Sequence, residues 1–94
     1  MSNVNEQELR EQIVHYGHSL FMRGYSSGGS GNMSVRLPDG GFLVTPTNSG
    51  LGELEANALS RLDANGVHIA GEKPSKEVPM HMAWYRRSPA CGAV

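Results

Sequence analysis

Apolar residues return every three or four positions along the first stretch of the chain. Leu9, Ile13, Tyr16 or Gly17, Leu20 and Phe21 form one stripe, which predicts an amphipathic helix from Glu6 to Arg23. Asn5 with Glu8 three residues later fits a capping box, and Gly24 fits a helix stop. Tyr16 and Phe21 are expected in the core; His15 and His18 fall on different faces and make no metal pair. The period then changes from helical to two. Met33, Val35 and Leu37 alternate with Asn32, Ser34 and Arg36, which predicts a half-buried strand. Pro38-Asp39-Gly40-Gly41 is a turn, and Phe42 to Thr45 returns as the second strand of a hairpin. Glu53 to Ala58 reads as a short helix or an irregular turn. Leu59 to Leu62 and Val67 to Ala70 flank Asp63-Ala64-Asn65-Gly66 as a second hairpin. A last helix is predicted from Ser75 to Arg87, with Pro79 in its first turn and Met80, Ala83 and Trp84 as its buried stripe. Ser88-Pro89 ends it, and Ala90 to Val94 reads as the entry to a further strand. Helix, hairpin, hairpin, helix and strand entry make an α/β chain.

Composition narrows the function classes. Ninety-four residues make one small unit with a thin stability margin. Eight Lys and Arg against nine Asp and Glu leave a net charge of -1, with no basic stripe beyond Arg86-Arg87, which argues against nucleic-acid binding. The single Cys91 cannot close an internal disulfide. The polar, acidic start lacks a signal-peptide pattern, and no apolar run nears the roughly 20 residues of a membrane span. A cytoplasmic protein without nucleic-acid or membrane partners is expected. No polar tail or turn follows Cys91-Gly92-Ala93-Val94, and an incomplete domain is expected.

Three polar segments carry the candidate chemistry. Gly28-Gly29-Ser30-Gly31-Asn32 is neither a dinucleotide fingerprint nor a P-loop. Its glycines can still present backbone amides to an anion, with Asn32 adding a side-chain donor, or it is a plain connector. Thr47-Asn48-Ser49-Gly50, just after a strand, offers hydroxyls and an amide, or a simple turn. Ser75-Lys76-Glu77 stands at the expected start of the last helix, where amides and dipole favour an anion. Glu77 is the candidate general base, or a carboxylate that merely suits a helix start. His81 lies four residues on, on the same face, but two residues are too few for a catalytic zinc.

Ser30-Gly31-Asn32-Met33-Ser34, Leu43-Val44-Thr45-Pro46-Thr47 with Leu51-Gly52, and Lys73-Pro74-Ser75-Lys76-Glu77 with His81 resemble, in order and spacing, the class II aldolase/adducin family. The resemblance runs to Gly92-Ala93-Val94 and covers essentially the whole chain, as the N-terminal part of one domain, residues 1–94. It implies a three-layer α/β/α fold around a mostly antiparallel central sheet, usually assembled as a homotetramer. It maps the family's phosphate pocket onto Gly31, Asn32, Thr47, Asn48, Ser75 and Lys76, and its acid/base carboxylate, also a metal ligand, onto Glu77. The implied cofactor is a divalent metal, Zn2+ first, whose histidine ligands the family carries beyond the position of Val94. Where the family usually has Gly this chain has Asn48, and where a second Ser is common it has Lys76. Lys76 suits a substrate bearing both phosphate and carboxylate. The branch most similar decarboxylates a 3-oxo-tetronate 4-phosphate to dihydroxyacetone phosphate and carbon dioxide. A fuculose-phosphate type of aldolase and a non-catalytic, adducin-like interaction module are the alternatives. The 94 residues alone are expected to be inactive.

Overall fold

The side chain of Asn5 accepts the amide of Glu8 at 2.8 Å, so the first helix starts where the capping pattern places it. The computed structural model describes residues 5–23, 31–47 and 50–94. The expectations for Gly24, Gly28 to Ser30, Asn48 and Ser49 fall outside the described residues. Helix α1 covers Glu6–Met22. Strands β1 (Ser34–Arg36), β2 (Phe42–Val44), β3 (Ser60–Leu62) and β4 (His68–Ala70) form one antiparallel sheet in the order β1-β2-β3-β4. Two 3-10 turns, Leu51–Glu53 and Ala56–Ala58, connect β2 to β3, and helix α2 covers Val78–Arg87.

Strand β2 organises the core. Its pleat sends alternate residues to opposite faces. Leu43 packs with Ile13 of α1 and with Leu37, Leu51, Leu54 and Leu59. Phe42 and Val44 pack on the other side with Leu62 and with Met82 and Tyr85 of α2. The sheet therefore lies between two helices, an α/β/α arrangement with a central antiparallel sheet. Burial on both faces explains why Phe42-Leu43-Val44 is an unbroken apolar run while β1 alternates.

The stripe on α1 resolves in favour of Gly17. Tyr16 is 56% exposed and Phe21 is also exposed, contrary to their expected core positions. Gly17 is buried, and a Cβ there would sit 2.8 Å from both the Leu51 carbonyl oxygen and Leu54 Cδ1. Close approach of α1 to the first 3-10 turn thus needs the missing side chain, and larger neighbours turn outward.

The buried face of α2 also differs from the expected one. His81, Met82 and Tyr85 are buried, whereas Met80 and Trp84 are 43% and 55% exposed and Ala83 is exposed. Apolar residues occur all round this ten-residue helix, so periodicity alone cannot choose its inner face. Ser34 of β1 draws His81 and Tyr85 inward through hydrogen bonds. The helix also begins at Val78 with Glu77 as its N-cap, three residues later than predicted.

The expected strand entry pairs with the outer edge of β1. Ser34 N donates to Val94 O at 2.9 Å, Val94 N to Ser34 O at 3.0 Å and Arg36 N to Gly92 O at 2.8 Å. Arg36 secures this segment by donating to Cys91 O at 3.1 Å. Its guanidinium lies 4.9 Å over the Tyr85 ring and 5.3 Å over that of Phe42.

Candidate functional site

Three segments meet at one end of the sheet. Residues 31–33 lead into β1, residues 45–47 continue β2, and residues 73–75 run back from β4 toward α2. The middle segment is bonded on both sides. Thr45 N donates to Met33 O at 2.9 Å, and Met33 N donates to Thr45 Oγ1 at 3.0 Å. On the other side Thr47 N donates to Lys73 O at 2.8 Å and Ser75 N to Thr45 O at 3.1 Å. Pro46 stands opposite Pro74 between these bonds. That is a non-hydrogen-bonded position of an antiparallel pair, where a residue without an N–H costs the ladder nothing.

This ladder brings Gly31, Asn32, Thr47, Ser75, Lys76 and Glu77 to the same end of the sheet. Gly31 has φ +91°, a conformation L side chains rarely adopt, so the position directly before Asn32 favours glycine. Asn32, Thr47 and Ser75 are half-buried; Gly31, Lys76 and Glu77 are exposed. Ser75 precedes the helix rather than capping it. Its Oγ accepts the amide of Glu77 at 3.1 Å, which turns the chain into α2. Among the described residues the Ser75 hydroxyl proton has no acceptor. Asn48 lies outside the described residues.

Beneath these residues a polar chain links Asn32 and His81 to two buried residues absent from the sequence-derived candidates, Ser34 and Tyr85. His81, 1% exposed, has Nε2 against Asn32 Oδ1. Its Nδ1 is 2.6 Å from Ser34 Oγ, and Ser34 Oγ is 2.7 Å from the Tyr85 hydroxyl. Burial pushes the His81 imidazole below its ordinary range, opposed by the nearby Glu77 charge. Burial likewise pushes the Tyr85 hydroxyl up, opposed by its hydrogen bond to Ser34. The histidine is thus held neutral and the tyrosine protonated. A signal existed in the sequence: Glu77, His81 and Tyr85 recur at four-residue spacing on one helical face.

Both ring nitrogens of His81 are engaged, so Glu77 and His81 do not form a metal pair. Among the described residues no three His, Cys, Asp or Glu side chains gather to hold an ion. Glu77 is the one expected ligand they contain, and the described residues do not by themselves fit a metal centre. Among them, too, no helix is long and apolar enough to cross a membrane.

The geometry has close counterparts. The chain is 51% identical over 89 residues to the 3-oxo-tetronate 4-phosphate decarboxylase of Escherichia coli K12, covering 95% of this chain and 42% of that protein. It is 35% identical over 91 residues to the L-fuculose phosphate aldolase of the same strain, covering 97% of this chain and 42% of the aldolase. The crystal structure of Klebsiella pneumoniae YgbL, described as a candidate aldolase/epimerase/decarboxylase, superposes with a TM-score of 0.93 at 53% identity, covering 97% of this chain and 44% of YgbL. The chain thus spans about two-fifths of the length of these relatives. Residues 11–94 match the family described as Class II Aldolase and Adducin N-terminal domain. The chain belongs to the class II aldolase and adducin family.

Proposed function

We propose that this chain is the N-terminal portion of a lyase that decarboxylates a 3-oxo-tetronate 4-phosphate to dihydroxyacetone phosphate and carbon dioxide. The observation that carries this reading is the higher identity to the decarboxylase, 51%, than to the fuculose phosphate aldolase, 35%, over nearly the same residues. In this reading Gly31, Asn32, Thr47, Asn48, Ser75 and Lys76 hold the phosphate. The convergence of residues 31–33, 45–47 and 73–75 supports it, because it brings an amide side chain, Asn32, and two hydroxyls, Thr47 and Ser75, to one end of the sheet where they can serve one anion. Lys76, exposed at the same end, supplies a cation for the substrate's second negative group.

The chemistry follows from the β-keto acid. Its 3-oxo group lies β to the carboxylate. As the bond to the carboxylate breaks, the electron pair passes to that carbonyl and carbon dioxide leaves. The enediolate that remains takes a proton at the carbon that lost carbon dioxide. Glu77 is assigned the transfer of that proton. A divalent metal, zinc first, is the expected cofactor of the whole protein, with Glu77 as this chain's contribution. The described residues do not compose its site, so no step here is routed through it. A cytoplasmic homotetramer is the corresponding whole-protein assembly.

Carbon dioxide release by the full-length protein from a 3-oxo-tetronate 4-phosphate tests the reading. Release of an aldehyde from a sugar phosphate without carbon dioxide would assign it to the aldolase branch instead. Turnover of neither substrate by the metal-loaded protein would favour a non-catalytic module.

A further inference from the structure

We propose that His81 is a positioning residue that fixes the Asn32 side-chain amide so that its N–H end serves the phosphate. The inference rests on the phosphate-pocket reading above. Tyr85, Ser34, His81 and Asn32 form a continuous chain of contacts through the interior. A neutral imidazole donates through one nitrogen and accepts through the other, so the chain has a direction. Oδ1 of Asn32, which can only accept, faces Nε2. The ring proton therefore sits on Nε2, Nδ1 accepts from the Ser34 hydroxyl, and Ser34 accepts from Tyr85. With Oδ1 committed to His81, the Nδ2 protons are the donors the amide offers to an anion. Reversing the chain would turn Nδ2 toward the histidine and aim Oδ1 at the phosphate oxygens, where it repels them. An Asn can present either end, and His81 selects the useful one.

Tyr85 and Ser34 act at a distance from the ligand in this scheme. Ser34→Ala deprives buried Nδ1 of its donor and with it the reason for the proton to stay on Nε2. Tyr85→Phe leaves Ser34 free to donate to Nδ1 and has the smaller effect. His81→Leu removes the acceptor and the donor together, whereas His81→Gln retains an amide able to supply both.

The test uses the full-length protein, inorganic phosphate as probe and calorimetric titration. Asn32→Ala, His81→Leu and Ser34→Ala are each expected to weaken phosphate by roughly tenfold or more, as for the loss of a hydrogen bond to a charged group. His81→Gln should recover part of the loss. Ser34→Ala should add nothing in an Asn32→Ala background, because both act through one amide. Imidazole nitrogen-15 shifts should report the Nε2–H tautomer in the unmodified protein and its loss in Ser34→Ala. A folded Ser34→Ala protein that binds phosphate normally, or a proton found on Nδ1, overturns the positioning role while an Asn32→Ala defect leaves the pocket standing. Normal phosphate binding by Asn32→Ala overturns the pocket itself and the positioning role with it.

Discussion

His81 is neutral because it is buried, and that has a consequence for stability. In the unfolded chain its proton is taken up near the ordinary value of 6.5; in the fold it is taken up at lower pH. Between the two values the unfolded chain binds more protons, so stability rises with pH through that window and falls as pH drops through it. Denaturant midpoints of the full-length protein are expected to decline below the ordinary histidine value, and His81→Gln should flatten that decline. Glu77 calls for a different measurement. Glu77→Gln keeps size and helix propensity but removes the basic oxygen. Turnover at saturating metal should fall about 100-fold to 10,000-fold with the melting temperature preserved. Near-normal turnover would leave Glu77 as a helix-terminal carboxylate worth about 0.3–1 kcal/mol. The candidate residues at this end of the sheet were legible as residue types: half-buried Asn32, Thr47 and Ser75 and exposed Glu77 are polar residues beside turns. Ser34 and Tyr85 were not. Ser34 sits on the polar side of an alternating strand, a pattern that ordinarily faces water, and only the three-dimensional approach of His81 and Tyr85 makes its burial affordable.

Elements with strong local chemistry follow the sequence closely. The Asn5 cap, the Pro38–Gly41 turn and the Asp63–Gly66 turn each fix their own geometry: Gly41 N bonds Asp39 Oδ1 at 2.9 Å, and Asn65 N bonds Asp63 Oδ1 at 2.8 Å. Elements whose position depends on distant partners do not. The pairing of residues 73–75 with 45–47 delays α2 to Val78, and a pattern confined to the helix carries no trace of that constraint. The side of α1 that faces inward is decided the same way, by what lies against Gly17. Gly17→Ala should raise intrinsic helix propensity by about 1 kcal/mol and still destabilise the protein. Its Cβ would press on the backbone carbonyl of Leu51 at 2.8 Å, which cannot rotate aside as a side chain would. A net loss of about 1 kcal/mol, within the usual range for overpacking, is expected from urea unfolding of the full-length variant. A gain in stability would show that the 3-10 turn yields.

At the scale of the whole chain, the two faces of the sheet are covered by α1 and α2, but apolar surface remains outside both interfaces. Val67 and Ile69 beside and within β4 are each 56% exposed, and β4 is an edge of the sheet among the described residues. Met80 and Trp84 are 43% and 55% exposed on the outer side of α2. An edge strand bearing exposed apolar side chains is a template for another chain, and exposed aromatic surface favours association over monomeric solubility. The 94-residue polypeptide prepared by itself is therefore expected to self-associate. Sedimentation across a concentration series should show species larger than a monomer. Trp84, the single tryptophan of the sequence, should shift its emission toward shorter wavelength as they form. Trp84→Ser should lower the association if the α2 surface drives it, whereas Ile69→Lys should lower it if the β4 edge does, since a charge on an edge strand opposes pairing. Both variants keep the buried clusters intact, because neither residue belongs to them. A sharp, cooperative melt from a monodisperse monomer at every concentration would show instead that these surfaces are stable in water.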